Sequence, residues 1–246
     1  MSAQSPSPAR PPRPSSPVRT ALRRTLVIGA VVPLALTTLF TGSAFAHGST
    51  VDPASRNYGC WERWGDDFQN PDMATEDPMC WQAWQADSTA MWNWNGLYRE
   101  NVGGDHRGAI PDGQLCSAGR TGGDRYAALD EPGPWHTTPV QNDFTVTVHD
   151  QALHGADYIR VFVTEQGFDP TTQRPAWDDL ELLADTGTIP PGEGSPSDGE
   201  SLNGVSIDID VSAPGRTGHH IVYMIWQASH YDQVFYACSD VSFPQA

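Results

Sequence analysis

The sequence predicts an all-β fold, an antiparallel β-sandwich carrying a long, partly helical, tryptophan-rich insertion between its first strands. Three observations carry this expectation. Short apolar or alternating runs recur from Phe144 onward, turn-rich stretches separate them, and the segment from Trp61 to about Gln114 lacks strand alternation yet holds six of the nine tryptophans.

The first 46 residues read as a secretory leader. Residues 1–22 are rich in Pro, Ser and Arg without an acid, Arg23-Arg24 lead into the apolar run from Leu26 to Phe40, and Ala44-Phe45-Ala46 closes it with a small-x-small cleavage pattern. Arg23-Arg24-Thr25-Leu26 resembles a twin-arginine signal, and an ordinary Sec signal fits nearly as well. The apolar run is short and interrupted for a membrane span. A secreted, soluble, monomeric chain of one domain, residues 47–246, is therefore expected, with no membrane partner.

In the insertion, Trp61, Trp64, Trp81, Trp84, Trp92 and Trp94 sit among Asn, Asp, Gln and Gly, with Cys80 to Tyr98 expected to be partly helical. Many of these rings should be core, since a long insertion needs an apolar cluster of its own. An exposed ring has another use, because the axial C–H bonds of sugars pack on aromatic faces. The predicted strands are Phe144-Thr145-Val146-Thr147-Val148, then residues 158–163, Val205-Ser206-Ile207-Asp208-Ile209-Asp210-Val211, residues 220–226 and Val234-Phe235-Tyr236. Residues 186–204 read as a long surface loop and Asp178 to Leu183 as a short helix.

Cys60, Cys80, Cys116 and Cys238 all lie after the leader, and in an oxidising compartment two disulfides are expected from the three possible pairings. The preferred pairing is Cys60 with Cys80, stapling the aromatic segment, and Cys116 with Cys238, tying a middle loop to the last strand. The spacing does not suit a zinc ribbon. The whole sequence has 14 basic and 30 acidic residues; five arginines lie in the leader, so nine remain against 30 acids, a formal charge near −21. Nucleic acid and anionic membrane are excluded as natural partners, while a neutral polysaccharide is not repelled.

Cleavage after Ala46 would make His47 the N-terminal residue. A free α-amine and an imidazole on one residue can chelate a single ion, whereas an internal amide nitrogen has its lone pair in resonance. The α-amine titrates near 8, at about pH 7.7–8.0, so giving up its proton to a metal costs little near neutrality. Two such nitrogens with one more imidazole make a nitrogen-rich, T-shaped site, and copper suits it best among the common divalent metals.

Three separated segments point to one family. His47-Gly48-x-x-x-x-Pro53-x-Ser55-Arg56, Ala152-Leu153-His154-Gly155-Ala156-Asp157-Tyr158 and Gln233-Val234-Phe235-Tyr236-Ala237-Cys238-Ser239-Asp240-Val241 resemble the bacterial lytic polysaccharide monooxygenases of auxiliary activity family 10 over the whole mature chain. The resemblance implies an immunoglobulin or fibronectin III-like sandwich and a copper brace of His47 and His154. It also implies that Ala152 is the small residue at the open axial face and Phe235 the aromatic blocking the opposite one. Gln233 falls where many members have glutamate, which puts a proton-donating role in doubt while leaving an amide able to orient a ligand. The match to the family's exposed aromatic is Trp92, with Asn93 and Asn95 beside it.

The chemistry that the resemblance implies is an oxidative cleavage. An external reductant converts Cu(II) to Cu(I), hydrogen peroxide or dioxygen is the co-substrate, and a glycosidic carbon of insoluble, crystalline cellulose or chitin loses a hydrogen and is hydroxylated. The similarity is closest to cellulose-active members, and Trp92-Asn93-Trp94-Asn95 resembles those that oxidise at both C1 and C4 with some chitin activity. With no binding module after Val241, affinity for polymer is expected to reside on the catalytic face. The rival readings are a non-catalytic carbohydrate-binding protein of the same fold, a secreted copper carrier, which leaves the insertion unexplained, and a glycoside hydrolase, whose carboxylate pair cannot be singled out among 30 acids.

Overall fold

The computed structural model describes residues 47–197 and 203–245; the leader expected over residues 1–46 lies outside the described residues. Two sheets face each other. The first runs β1 (Gly48–Asp52), β4 (Asp143–Asp150), β8 (Val205–Ser212), β7 (Ser195–Pro196), all antiparallel. The second runs β2 (Tyr98–Glu100), β10 (Gln233–Phe243), β9 (Gly218–Ala228), β5 (Ala156–Thr164), β6 (Leu180–Asp185), with the short β3 (Thr138–Pro139) parallel to β10.

The strand sequences explain which faces are covered. β8 alternates Val205, Ile207, Ile209 and Val211 inward with Ser206, Asp208, Asp210 and Ser212 outward, the pattern of a strand wet on one side. β9 and β10 are instead buried almost throughout, because both their faces are covered. Val222, Met224, Trp226, Phe235 and Ala237 pack between the sheets, while Ile221, Tyr223, Ile225, Val234, Tyr236 and Cys238 pack under the insertion. The molecule therefore has two apolar layers that share one sheet.

The insertion between Asp52 and Thr138 contains α1 (Arg56–Trp64), α2 (Met73–Glu76), α3 (Pro78–Ala86), α4 (Thr89–Trp92) and α5 (His106–Ala109). Pro78 opens α3 where its missing N–H costs nothing. The disulfide Cys60–Cys80 joins α1 to α3, and Cys116–Cys238 ties the loop after α5 to the middle of β10. Trp84 and Trp94 are buried, Trp61, Trp64 and Trp81 half-buried, and Trp92 exposed.

Two expectations are corrected. Asp178 to Leu183 is not a helix: a single turn over Trp177–Asp179 leads into β6, which pairs with β5 from Arg160↔Asp185 to Thr164↔Leu180. Leu180, Leu182 and Leu183 favour either state, and the open edge of β5 decides it. The stretch from Trp61 to Gln114 is also not free of strand, since Tyr98–Glu100 adds the outer edge of the second sheet against β10. Three residues are too few to show alternation.

One buried ion pair fastens the start of the chain to its end. Arg56 Nε and Nη2 donate to Asp240 Oδ2 and Oδ1 at 2.6 and 3.1 Å, Arg56 Nη1 donates to the Leu129 carbonyl at 2.6 Å, and the guanidinium lies 4.6 Å from the centre of the Trp135 ring. His219 Nε2 lies 2.8 Å from Asp240 Oδ1. Burial pushes the Asp240 carboxyl up, but the Arg56 charge and the hydrogen bonds from His219 and Arg56 outweigh it and hold the pKa below its ordinary value. A depressed folded-state value means that the stabilisation is fully present above the unfolded carboxylate pKa of about 3.9 and is lost as pH falls through the folded value. Asp240→Asn should cost about 3–5 kcal/mol at neutral pH by leaving Arg56 buried and unpaired. In denaturant unfolding the gap between parent and variant should narrow below about pH 4; a gap unchanged from pH 7 into the acid range would refute the ionic account.

Candidate metal centre

His47 is placed by backbone pairing. β1 pairs with β4 as Gly48↔Asp150, and the Gln151 N–H donates to the His47 carbonyl at 2.9 Å, so the residue before β1 sits at the entrance to the loop after β4. Glycine comes next for a steric reason: a Cβ at position 48 would run into the His149 carbonyl and the Trp226 ring.

The loop from Gln151 to Gly155 then folds back to bring His154 toward His47. Asp150, fully buried, accepts the N–H groups of Ala152 at 3.1 Å and Gly155 at 2.9 Å. Leu153 takes a left-handed φ of 60° and Gly155 one of 66°. A Cβ on Gly155 would collide with backbone from Ile189 to Pro191. From below, Trp226 Nε1 donates to the Gly155 carbonyl at 2.9 Å. Ser229 Oγ donates to the His154 carbonyl.

The His154 imidazole is buried, and its Nε2 has no hydrogen-bond partner. Burial lowers its pKa, Asp150 opposes that, and the His47 charge adds to the lowering, which marks the two rings as electrostatic neighbours. A neutral imidazole with an unclaimed buried nitrogen has the chemistry of a metal ligand in waiting. Among the described residues, no three His, Cys, Asp or Glu side chains converge as a ligand set.

Phe235 and Gln233 project from the same face of β10. The Phe235 ring stacks on Trp226 with centroids 4.7 Å apart and lies 5.4 Å from Tyr98. Gln233 is fully buried, and neither amide atom has a partner. An orphaned primary amide is costly unless something polar meets it. Ala152 is half-buried beside His154.

The three insertion residues expected at the surface separate by environment. Trp92 is 47 % exposed and rests edge-on against Trp84 and Phe68. Asn93 is exposed, its amide donating to the Thr89 carbonyl at 2.8 Å. Asn95 is half-buried and donates to Gln151 Oε1 at 2.6 Å, so it braces the histidine loop. Sequence reasoning gives no role to His230, whose ring stacks on that of His154 at 3.8 Å and 15°, with Tyr231 edge-on at 4.2 Å. The usable signal is its place in the turn between Trp226 and Phe235, whose strands both end at the site.

Residues 47–241 match the family described as "Lytic polysaccharide mono-oxygenase, cellulose-degrading". The structure of LPMO10B from Micromonospora aurantiaca is similar with 63% identity and a TM-score of 0.77, covering 80% of this chain and 99% of that one. The structure of the cellulose-active LPMO CelS2 in complex with copper is 32% identical with a TM-score of 0.66, covering 81% and 100%. The chitin-binding protein CbpD of Pseudomonas aeruginosa is 33% identical over 88% of this chain and 52% of its own length. The chain spans about half the length of the curated relatives it matches first.

The clamp on the histidine loop is testable without a metal. Gly155→Ala should lower stability by about 1–3 kcal/mol in denaturant unfolding, because alanine is strained at this φ and its methyl has no room. An unaltered midpoint would show that the loop is free to rearrange.

Proposed function

This chain belongs to the lytic polysaccharide mono-oxygenase family, and we propose that it is a secreted enzyme cleaving crystalline cellulose with one copper ion held by His47 and His154. The observation that carries the reading is the buried, unpartnered Nε2 of His154 beside His47. Cleavage after Ala46 would add the missing donor, a primary amine on His47, which an uncut chain cannot offer. Three nitrogens with no carboxylate or thiolate favour copper.

Bound there, copper would supply one-electron chemistry, taking electrons from an external reductant and passing them to hydrogen peroxide or dioxygen. The protein's own residues set the surroundings. Phe235 presents only carbon, so no donor of this side chain competes for the ion, and the Trp226 stack keeps its ring in place. The Gln233 amide, unclaimed by the protein, is free to orient a small polar co-substrate. Ala152 leaves room where a larger side chain would crowd the approach.

The polymer is the finer part of the proposal. Trp92 offers a ring face to a pyranose with Asn93 beside it, and the exposed Leu153 and Tyr231 flank the histidines. Such a surface suits a crystalline chain lying flat. The cellulose-active copper relative supports cellulose as the main substrate; oxidation at C1 and also at C4 rests on the resemblance of Trp92-Asn93-Trp94-Asn95 alone. The chitin-binding relative supports some action on chitin.

The decisive experiment is native mass spectrometry of the secreted protein with copper, joined to product analysis on cellulose. Expected are a mass beginning at His47, one copper per chain, and release of oxidised oligosaccharides with reductant and peroxide. His154→Ala, or one extra residue ahead of His47, should weaken copper affinity by at least about a hundredfold and abolish product. Full cleavage by the extended form would end the proposal, and cellulose binding without oxidised product would leave a carbohydrate-binding protein. Trp92→Ala should lower the fraction bound to cellulose in pull-down assays several-fold while copper affinity stays unchanged; equal binding would remove Trp92 from the polymer face.

A further inference from the structure

Nine arginines and no lysine lie beyond residue 46, and they are not distributed evenly in their partners. Six hold a carboxylate at 2.8 Å or closer: Arg56, Arg63, Arg107, Arg160, Arg174 and Arg216. Three do not. Arg99 spends Nη1 on the carbonyls of Ala118 and Gly119, at 3.3 and 3.2 Å. Arg125 lies over the Tyr126 ring at 5.9 Å and has no carboxylate partner among the described residues. Arg120 reaches only Asp124, at 3.8 Å, with both side chains well exposed, a contact worth little in water.

All three line two adjoining hollows that begin at His47. The inner one, about 250 Å³, is walled by His47, Asn93, Tyr98, Thr121, Arg125 and Tyr126. The outer one, about 370 Å³, shares Tyr98 and Thr121 and adds Arg99, Arg120 and one carboxylate, Glu100. The rim is built rather than incidental. Cys116–Cys238 fixes its root, Thr121 Oγ1 donates to the Tyr98 carbonyl at 2.9 Å, and Tyr126 donates to the Asn93 carbonyl at 2.9 Å. Ala118, Arg120 and Asp124 on this rim have left-handed φ values, three of the five such non-glycine residues described. Strain of that kind persists only where the surroundings enforce it.

Beyond residue 46, where the formal charge is near −21, the guanidiniums that lack a close carboxylate thus line two adjoining hollows beside the candidate metal centre. A neutral glucan can use their N–H groups only as hydrogen-bond donors, whereas an anion also uses their charge. We infer that these hollows form a binding site for a small hydroxylated organic monoanion, with Arg120 and Arg125 meeting its charge and Tyr98, Thr121 and Asn93 its hydroxyls. The role of such a ligand rests on the monooxygenase reading, and two sources share its chemistry: an enediolate electron donor of the ascorbate type, and the aldonate end that C1 oxidation leaves on a sugar chain. The inner volume suits a molecule of that size, not a polymer strand.

The test uses the metal-free chain beginning at His47, so that the ligand cannot bind through copper. Titration calorimetry is run with ascorbate under anaerobic conditions, with gluconate, and with glucose as the neutral control. One or both anions should bind, more weakly as salt rises, and glucose should not. Arg120→Gln with Arg125→Gln should weaken binding about tenfold, Arg125→Lys less, and Arg107→Gln, which removes a distant charge, not at all. Binding of ascorbate alone identifies an electron-donor site, and of gluconate alone a product site. Failure of both anions to bind, or equal affinity in the double variant with unchanged thermal unfolding, overturns the inference. Copper binding by the parent, measured separately, tests the underlying reading.

Discussion

The buried pair of Arg56 and Asp240 is the contact on which the arrangement of the site depends. Arg56 opens α1 directly after β1, and Asp240 lies on β10, the strand whose other end carries Gln233 and Phe235. Joining them, with Ser55 bridged to Ser239 alongside, fixes where the first strand lies relative to the last. Together with the β1–β4 ladder, this fastening soon after β1 holds the start of β1 against Trp226. A salt bridge is a poor source of net stability when it must be desolvated, yet it is a strict one: a displaced guanidinium would give up both of its hydrogen bonds to the Asp240 carboxylate inside the core. Its value here is positional.

The second determinant is the sharing of one sheet by two apolar layers. Because β9 and β10 are covered on both faces, neither can slip by one residue without exchanging every side chain between the layers. Trp226 and Phe235 face the sandwich, Tyr223 and Tyr236 the insertion, and Cys238 is bonded to Cys116. That register delivers Trp226 Nε1 to the Gly155 carbonyl and so supports the loop bearing His154. The rigidity of the site is thus inherited from strands rather than from the loop itself.

Legibility in the sequence divides along the same line. β8 is legible because one wet face leaves a period of two, and β9 because eleven consecutive residues hold few breaks. β6 reads as helix, since Leu-Glu-Leu-Leu carries no period, and β2 escapes notice because its partner, not its own three residues, makes it a strand. The insertion shows no repeat or heptad; disulfides, tryptophan contacts and an Asp77 that accepts from both Arg63 and Trp64 hold it, and none of these is a local signal. His47 and His154 can be singled out only through the leader boundary and the family motifs. For His230 the sequence offers only its place in the turn between two site strands, because its ring stack on His154 is a tertiary event.

Charge placement closes the physical picture. With arginine as the only long cation, the chain uses its forked geometry to staple separate elements: Arg174 to Glu131 and Arg107 to Asp178 tie the insertion to the β5–β6 connection, and Arg216 reaches Glu181 on β6. Each staple removes a cation from the general field, leaving the outer face of β4 and β8 acidic, where Thr145 and Thr147 donate to Asp210 and Asp208 at 2.7 Å. Burial, and after it the Asp208 charge, push the nearby Asp52 carboxyl up. Against that background the guanidiniums of Arg99, Arg120 and Arg125, which hold no carboxylate closer than the 3.8 Å of Arg120 to Asp124, differ from the six that are stapled. The position of those cations beside His47, rather than their number, gives them chemical meaning.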